Sequence, residues 1–421
     1  MEDSYRFFVG IDWATEKHDV CVVDVGGQKV LERQVEHRGD PLRVFFEELL
    51  TLAEGHPEQV AIAIETPRGA LVESLVERGF HVYAVNPKQL DRFRDRHTVA
   101  GAKDDSLDSF VLGDSLRTDR ALYRRVKVDD PVIIQLRELS RASEGLVSEQ
   151  GRLHNQLRDQ VHRILPQLLT LSPAADEAWL WDLLDLVASG SEPARIRPTQ
   201  VARILKVNRI RRLEADEILA QLQQPAPWTT PGTRQAVRAH IALLLPRLRV
   251  TLQQARDCDK QIQVLLNELA GPEPGKDEIR EHRDVTIIQS LPGAGTKVTA
   301  TMLAEASQPL AERNYHVTRT QSGVAPVTKS SGKRSKSRGL VHMRYACNGR
   351  LRNALFYWAQ AAVSRDEACK AYYAGLRQRG HEHARALRSV ADRLLRILFA
   401  MLESRTLYDP AHANRLSPVT P

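Results

Sequence analysis

The succession of strand-type segments in the first 85 residues constrains the fold most strongly. The chain contains five of them in this order: Arg6–Asp12, His18–Val25, Val30–Val35, Val60–Ile64 and Phe80–Val85. Because only short turns separate the first three, we expect three consecutive antiparallel strands there. Helices are predicted between the later strands. Asp40 and Pro41 form a helix-start signal, with Asp at the N-cap and Pro at N1, and Ala70–Arg78 has a helical pattern.

The resulting order of elements, βββαβαβα, is typical of the ribonuclease H-like fold, which we predict for an α/β domain over residues 1–125. Acidic residues lie where that fold places its chemistry. Asp12 closes the first strand and Glu65 follows Val60–Ile64. Asp105 and Asp108 are three residues apart, on one face of the helix that follows. Asp104 is a further candidate, but as the neighbour of Asp105 it points to another face.

Carboxylates at the ends of neighbouring strands and on a packed helix can converge on Mg²⁺ or Mn²⁺. Two such ions about 4 Å apart stabilise the attacking and leaving oxygens of a phosphodiester displacement. We therefore predict a catalytic metal site made of Asp12, Glu65, Asp105 and Asp108. The alternative for each acid is an exposed helix cap or a charge at a strand end.

The middle of the chain, residues 126–283, is predicted to be a helical coiled-coil region. Pro131 to Pro166 has no internal proline and repeats leucine every seven residues, and a second helix runs from about Thr233 to Leu269. These helices can form an antiparallel hairpin inside one chain or associate across a dimer. Residues 172–227 form a separate helical insert. Its basic stretch Ile204–Leu213 is either a nucleic-acid face or an ordinary charged surface.

The last third, predicted as a mainly α domain over residues 284–403 with a tail over 404–421, contains a strongly basic segment. Pro326–Arg352 has eight Lys or Arg residues and no Asp or Glu. Two adjacent serines lie beside Gly332, and nearby cations can stabilise a serine alkoxide and hold a phosphodiester. The alternative is a solvated basic loop with phospho-acceptor serines. The predicted nucleic-acid contacts are Gly293, Gly295, Lys329, Lys333, Arg334, Lys336, Arg338, Arg344, Arg350 and Arg352.

Composition favours a polyanionic partner and argues against a membrane protein. The net charge is +7, and aromatic residues make up only 5 % of the chain, so contacts to phosphate should outweigh stacking on unpaired bases. No apolar run approaches the roughly 20 residues that cross a bilayer. The four cysteines are far apart, and the first five residues lack a signal-peptide pattern. We expect a cytoplasmic protein.

Six short motifs occur in an order that resembles the DEDD transposases of the IS110 insertion-sequence family, also known as bridge recombinases. They are Phe8-Val-Gly-Ile-Asp12, Ile64-Glu65-Thr66, Lys103–Asp108, Leu291-Pro-Gly-Ala-Gly295, Gly323-Val-Ala-Pro326 and Ser331-Gly332. The likeness covers residues 6–115 and 284–365. It implies a bacterial or archaeal enzyme with a RuvC-like domain, whose metal-binding acids would be the four named above, and a transposase domain whose nucleophile falls on Ser331.

The resemblance also implies partners. Such enzymes join element ends to target DNA under the guidance of a non-coding bridge RNA. Their active sites pair the acidic domain of one subunit with the serine of another, which favours a homodimer or homotetramer. This chain departs from the family pattern in two motifs. Ser330 stands where the family commonly has Gln, which leaves the choice between Ser330 and Ser331 open, and Asp104 stands where Thr is usual.

Other classes of protein share parts of this pattern. A RuvC-like junction nuclease would use the same acids, with water as nucleophile and no covalent intermediate. An actin-like kinase would need a second glycine-rich phosphate loop and an adenosine motif, and the sequence has neither. An RNA-binding scaffold would not need four acids at these places.

Overall fold

The computed structural model describes residues 4–66, 69–86, 90–94, 105–127, 129–225, 228–271, 283–329 and 340–410, with the backbone alone at 105, 194, 328, 329 and 340–342. The chain divides into two compact units, Met1–Asp130 and Pro131–Pro421. In the ranges that the structure covers, every helix is too short or too polar to span a bilayer.

A six-stranded mixed sheet forms the centre of the first unit. Its strands are β1 (Phe7–Asp12), β2 (Lys17–Asp24), β3 (Lys29–Glu36), β4 (Val60–Ile64), β5 (His81–Ala84) and β6 (Arg124–Arg125). They lie in the order β3-β2-β1-β4-β5-β6. The first three strands are antiparallel, as predicted, whereas β4 is parallel to β1 and β5 to β4. The short edge strand β6 was not predicted. This mixed α/β arrangement is consistent with a DEDD nuclease-like domain.

Helices cover both faces of the sheet: α1 (Gly39–Leu52), α2 (Ala70–Glu77) and α3 (Asp105–Asp119). Because side chains alternate along a strand, Val9 and Ile11 of β1 pack in a core with α1 and α2, whereas Phe8 packs in a core with α3. The start of α1 differs from the prediction. Its N-cap is Arg38, and Asp40 lies in the first turn, where a carboxylate still favours the positive end of the helix dipole.

Two long helices, α4 (Pro131–Ile164) and α8 (Pro231–Ala270), pack against each other in the second unit. They are antiparallel. The Ser143 hydroxyl donates to Asp259 at 3.0 Å, and further along α4 Glu149 lies 3.7 Å from Arg247, which precedes Asp259 in α8. The hairpin within one chain is therefore the alternative that the structure contains. Coiled-coil packing and a dimer stay predictions.

The insert between the long helices forms its own core, which includes the C-terminal half of α4 and the N-terminal half of α8. Its helices are α5 (Ala178–Ala188), α6 (Pro198–Val207) and α7 (Ala215–Gln223). Trp179 and Trp181 of α5 are buried in this core together with Leu157 of α4 and Leu245 of α8. The indole of Trp181 donates to the carbonyl of Ala175 at 2.9 Å, so its one polar group is satisfied.

The C-terminal helices pack around a second core, which includes the N-terminal half of α4 and the C-terminal half of α8. They are α9 (Asp284–Ser290), α10 (Thr296–Glu305), α11 (Ser307–Ala311), α12 (Tyr315–Gln321), α13 (Gly349–Arg365), α14 (Glu367–Gln378) and α15 (His383–Ser404). Fully buried Trp358 and Leu398 belong to this core, and so does Leu136 near the start of α4. A two-stranded hairpin, β7 (Val327–Lys329) and β8 (Leu340–His342), precedes α13.

Candidate active site

A glycine in β1 brings α3 directly onto the sheet. A Cβ atom at Gly10 would lie 1.8 Å from the carbonyl oxygen of Ser109 and 2.6 Å from the nitrogen of Gly113, so any other residue would push the helix away. Asp12 lies two residues after Gly10, on the same face of the sheet. Asp108 immediately precedes Ser109. The first turns of α3 therefore lie near the end of β1.

Glu65 lies beside Asp12 on the neighbouring strand. Strands β1 and β4 are parallel, with Ile11 in register with Ile64, so the next residues along, Asp12 and Glu65, are adjacent at the same end of the sheet. Ala63 belongs to the core under α3, and alternation places Glu65 on that same face. The structure therefore brings two predicted acids to one edge and one face.

Asp19 is an acidic residue at this edge that the sequence reasoning missed. It pairs with Asp12 across the antiparallel β1–β2 ladder, and directly opposed residues share a face. Its carboxylate accepts a hydrogen bond from the side-chain amide of Gln34 at 3.1 Å. Only the strand register reveals this proximity, because in the sequence Asp19 is one of several polar residues in the turn and strand after Asp12.

Asp108 is buried, with 4 % of its surface exposed, and Arg94 neutralises it. The Arg94 Nε and Nη2 atoms donate to the two carboxylate oxygens at 2.6 and 2.7 Å, a bidentate pair. The sequence reasoning did not include Arg94. The available signal was its position after Leu90 and Phe93, which give this short helical segment one buried face.

The donors at this edge are of the kind that Mg²⁺ and Mn²⁺ prefer, since all are carboxylate oxygens. Among the side chains that the structure describes, however, no three His, Cys, Asp or Glu residues lie close enough to hold an ion together. Asp105 begins α3, but its side chain is outside that set. The four-carboxylate metal site therefore stays a prediction. Asp12, Glu65 and the first turns of α3 lie at one edge, and Arg94 binds Asp108.

A buried histidine fixes the turn that follows Asp12. His18 is 1 % exposed, its Nδ1 accepts from the backbone nitrogen of Ala14 at 3.3 Å, and its Nε2 lies 2.9 Å from Nδ1 of His37. Burial, and then the neighbouring His37, lower the pKa of His18 to about 4. The neutral ring therefore accepts from Ala14 and donates to His37, and it holds the chain in place just beyond the acidic edge.

The β7–β8 hairpin brackets the basic serine segment. Lys329 pairs with Leu340, and these two residues flank segment 330–339. The proposed nucleophile Ser331, the alternative Ser330 and the four cations of this segment lie outside the described residues. Those cations are Lys333, Arg334, Lys336 and Arg338. For Lys329 the structure describes the backbone alone.

Packing inside the protein accounts for the conformation of Gly293. Its φ is +79°, and an added Cβ would lie 2.7 Å from the nitrogen of Ala362 in α13. The indole of Trp358, also in α13, donates to the carbonyl of Pro292 at 3.0 Å. Gly295 has open space around its Cα and precedes α10 as its N-cap. Contact of either glycine with phosphate stays a prediction.

The other predicted cations lie near the start of α13. Arg344 is partly buried in the connection from β8, and Arg350 and Arg352 are in the first turn of the helix. Arg350 already has an acidic partner, since its Nε donates to Glu144 at 2.7 Å. An exposed pair of this kind contributes about 0–1 kcal/mol, so a phosphate can replace the carboxylate at small cost.

Comparison with known proteins connects both units with transposition. Residues 9–166 match the transposase model of the DEDD IS110 type, and residues 285–374 match the model of the IS116/IS110/IS902 transposase family. The first match contains all four predicted metal ligands, and the second contains Ser331. The family motifs quoted from the sequence therefore lie almost entirely within the matched segments.

Individual relatives agree with these matches. A candidate transposase y4uE from Sinorhizobium fredii is 46 % identical over 236 residues, which is 56 % of this chain and 65 % of that protein. The chain thus spans slightly less than two thirds of that relative. A candidate mini-circle transposase for IS117 from Streptomyces coelicolor is 28 % identical, with 98 % of this chain and 97 % of the relative covered. An uncharacterized protein of the insertion element IS900 from Mycobacterium paratuberculosis is 24 % identical over 96 % of the chain and 97 % of the relative.

Proposed function

The chain belongs to the IS110 family of transposases, and from that premise we propose that it cuts and rejoins DNA strands with an acidic site in its first unit and a serine in its second. One structural observation carries the acidic half of the proposal. The close approach of α3 to β1 at Gly10 brings Asp12, Glu65 and the first turns of α3 to one edge of the sheet. Such an edge is where carboxylates can act on a phosphodiester.

Asp12, Glu65 and Asp108, together with Asp105, would hold a divalent cation, Mg²⁺ or Mn²⁺. When bound, the cation would stabilise the negative charge that develops on the phosphate. Asp108 would have to exchange its bidentate bond with Arg94 for this role. Arg94 offsets the charge of the buried carboxylate until then through its two hydrogen bonds. Asp19, which pairs with Asp12 across the β1–β2 ladder, would help to position the residues at this edge of the sheet.

Ser331 would supply the nucleophile. Its oxygen would bond to phosphorus while the bond from phosphorus to a deoxyribose oxygen breaks, and that oxygen would leave with the proton. The resulting phosphoserine ester conserves the energy of the broken bond, so a second DNA end can reverse the step and release the serine. The cations of Pro326–Arg352 support this role, because they would stabilise both the alkoxide and the phosphorane.

Two further parts of the proposal concern partners. A non-coding bridge RNA would guide the choice of DNA, and a homodimer or homotetramer would combine acids and serine from different subunits. Both are supported by the resemblance to the family, and the basic segment provides charge for RNA as well as for DNA. Binding to chromosomal DNA would place the protein with the nucleoid.

The test is to trap the phosphoserine ester. Full-length protein is incubated with Mg²⁺ and supercoiled DNA that carries the insertion sequence and its flanks, and denatured samples are examined for protein bound covalently to DNA. Ser331→Ala should bind DNA and form no adduct, whereas the matched variant Ser330→Ala should form it. Adducts from Ser331→Ala would assign the nucleophile elsewhere. Mg²⁺-dependent cleavage without any adduct would favour the junction nuclease.

A further inference from the structure

The turn between α14 and α15 concentrates arginines for which the described residues provide no acidic partner. Residues 377–388 contain four arginines and two histidines, and the only acid is Glu382. Within the described part of the chain, no carboxylate lies within ion-pair distance of Arg385 or Arg388, whereas Arg396 on the same helix pairs with Asp392 at 3.3 Å. This turn lies beyond residue 374, where the second family match ends.

The frame that carries these arginines is fixed by hydrogen bonds. Gly380 adopts a φ of +80°, which lets the chain reverse between the helices. Arg377 Nη1 donates to the carbonyl of His381 at 2.7 Å, and the nitrogen of His381 donates to Leu376 at 3.1 Å. The hydroxyl of Tyr373 lies 2.8 Å from Nδ1 of His383. The arginines therefore extend from an ordered turn.

The positive charges of this turn act on one another. Burial, and then Arg385, lower the pKa of Arg388, which is partly buried. Burial, followed by Arg385 and Arg379, also lowers the pKa of His381. These three arginines therefore form a local positive field, and among the described residues no carboxylate pairs with them. Self-repulsion of this kind opposes folding, and a bound anion would relieve it.

We propose that Arg377, Arg379, Arg385 and Arg388 bind the phosphate backbone of double-helical DNA. A guanidinium group can donate two hydrogen bonds to one phosphate. The first turn of the 22-residue helix α15 adds backbone N–H groups, which also favour a bound phosphate. The proposal rests on the DNA-joining function proposed above and extends it to a surface that none of the motifs includes.

The aromatic residues beside the turn explain why the ligand is a duplex. Arg393 covers the ring of Tyr372 at 5.0 Å, and Tyr373 is engaged with His383. Single strands are held largely by bases that stack on open aromatic rings, which this surface does not offer among its described residues. Contacts to backbone phosphate remain, and they carry no base preference.

The test compares two double variants of the full-length protein that lose equal charge. Arg385→Gln with Arg388→Gln removes two unpaired cations, and the control, Arg43→Gln with Lys260→Gln, removes two that pair with carboxylates at 2.8 and 3.1 Å. Binding to a random-sequence duplex is measured over a range of salt. Two lost phosphate contacts should reduce the slope of log K against log salt by about 2 and weaken binding about 50-fold near 0.1 M salt. The control should keep the wild-type slope.

Two further measurements make the result unambiguous. Arg385→Lys with Arg388→Lys should restore most of the slope, because both charges return; failure to do so would overturn the proposal. An unchanged slope in the Gln double variant would also overturn the proposal. If the wild-type protein still binds duplex in that case, the proposed function is unaffected. Absence of duplex binding by the wild type would instead refute the proposed function. With an RNA stem-loop in place of DNA, a slope change confined to RNA would overturn the assignment to DNA.

Discussion

Two buried carboxylates, one in each unit, are bound by an arginine, and they differ in what else binds them. The side chains of Asp108 and Glu305 are each 6 % exposed, and their partners Arg94 and Arg141 are 18 % and 25 % exposed. By burial alone the two sites are equivalent. At both sites, removal of the arginine would leave an unpaired buried charge and lower the stability of the fold.

Glu305 connects three helices. Arg141 of α4 donates to it at 2.9 and 3.4 Å, and Asn348, the N-cap of α13, donates at 2.7 Å. Burial alone would raise the pKa of Glu305, but the hydrogen bonds from Arg141 and Asn348 outweigh it, so the pKa lies below the ordinary value. Through these hydrogen bonds, the Glu305 carboxylate holds α4, α10 and α13 together.

Asp108 has a single donor residue in the described structure, and that residue comes from a short segment, 90–94. It also lies in the first turn of α3, the helix that approaches β1 closely at Gly10, whereas Glu305 lies among helices. We infer from this difference that the Glu305 pair is structural, because three helices share it, and that the Asp108 pair can be exchanged, because a single arginine forms it.

The largest expected difference is in catalysis. Asp108→Asn should lower the rate of Mg²⁺-dependent strand cleavage by about 10²–10³-fold per folded molecule, because it removes a ligand from the charge-stabilising site. Glu305→Gln should change that rate less than about threefold. Rates are measured with substrate in excess and corrected for the folded fraction. Near wild-type cleavage by Asp108→Asn would remove Asp108 from the proposed site.

The second difference is in stability. Glu305→Gln should lower the free energy of unfolding of the second unit by about 3 kcal/mol, because Arg141 keeps its charge in a largely buried position. Glu144→Gln is the matched surface variant, since Glu144 is 51 % exposed and pairs with Arg350; it should cost less than about 1 kcal/mol. Urea denaturation of the full-length chain measures both. Equal losses would show that burial does not distinguish the two acids.

A third prediction concerns the pH dependence of the acidic edge. The pKa of His18 is about 4 in the folded protein, against an ordinary value of 6.5 that applies to the unfolded chain. Between these pH values the unfolded chain therefore binds a proton that the folded chain does not. Stability is therefore lost as pH falls below 6.5, by about 2 kcal/mol at pH 5. Hydrogen exchange of β1 and β2 amides, corrected for intrinsic rates, should show this loss. His18→Gln, which cannot take up the proton, should lack most of it.

Local patterns predicted the sheet, because strand alternation and turn spacing are properties of neighbouring residues. The five strands and the antiparallel arrangement of the first three follow from them, and the ends of two strands located Asp12 and Glu65. Asp19 and Arg94 were missed because their roles depend on register and on a contact between distant residues. The N-cap of α1 was misassigned because Asp40 and Pro41 favour a helix start with a side-chain cap, whereas the helix begins after Arg38 without one. Heptads could not tell an internal hairpin from a dimer, since both bury the same faces.

The most direct test of the account is whether Mg²⁺ can replace the arginine at one carboxylate and not at the other. Without metal, both Arg94→Gln and Arg141→Gln should lower the thermal unfolding midpoint of the unit that contains the substitution, because each leaves a buried carboxylate unpaired. Excess Mg²⁺ should raise the midpoint of Arg94→Gln by about 4 °C through binding to the folded state, and leave that of Arg141→Gln unchanged. Equal responses of the two variants to Mg²⁺ would contradict the assignment of Asp108 to a metal site.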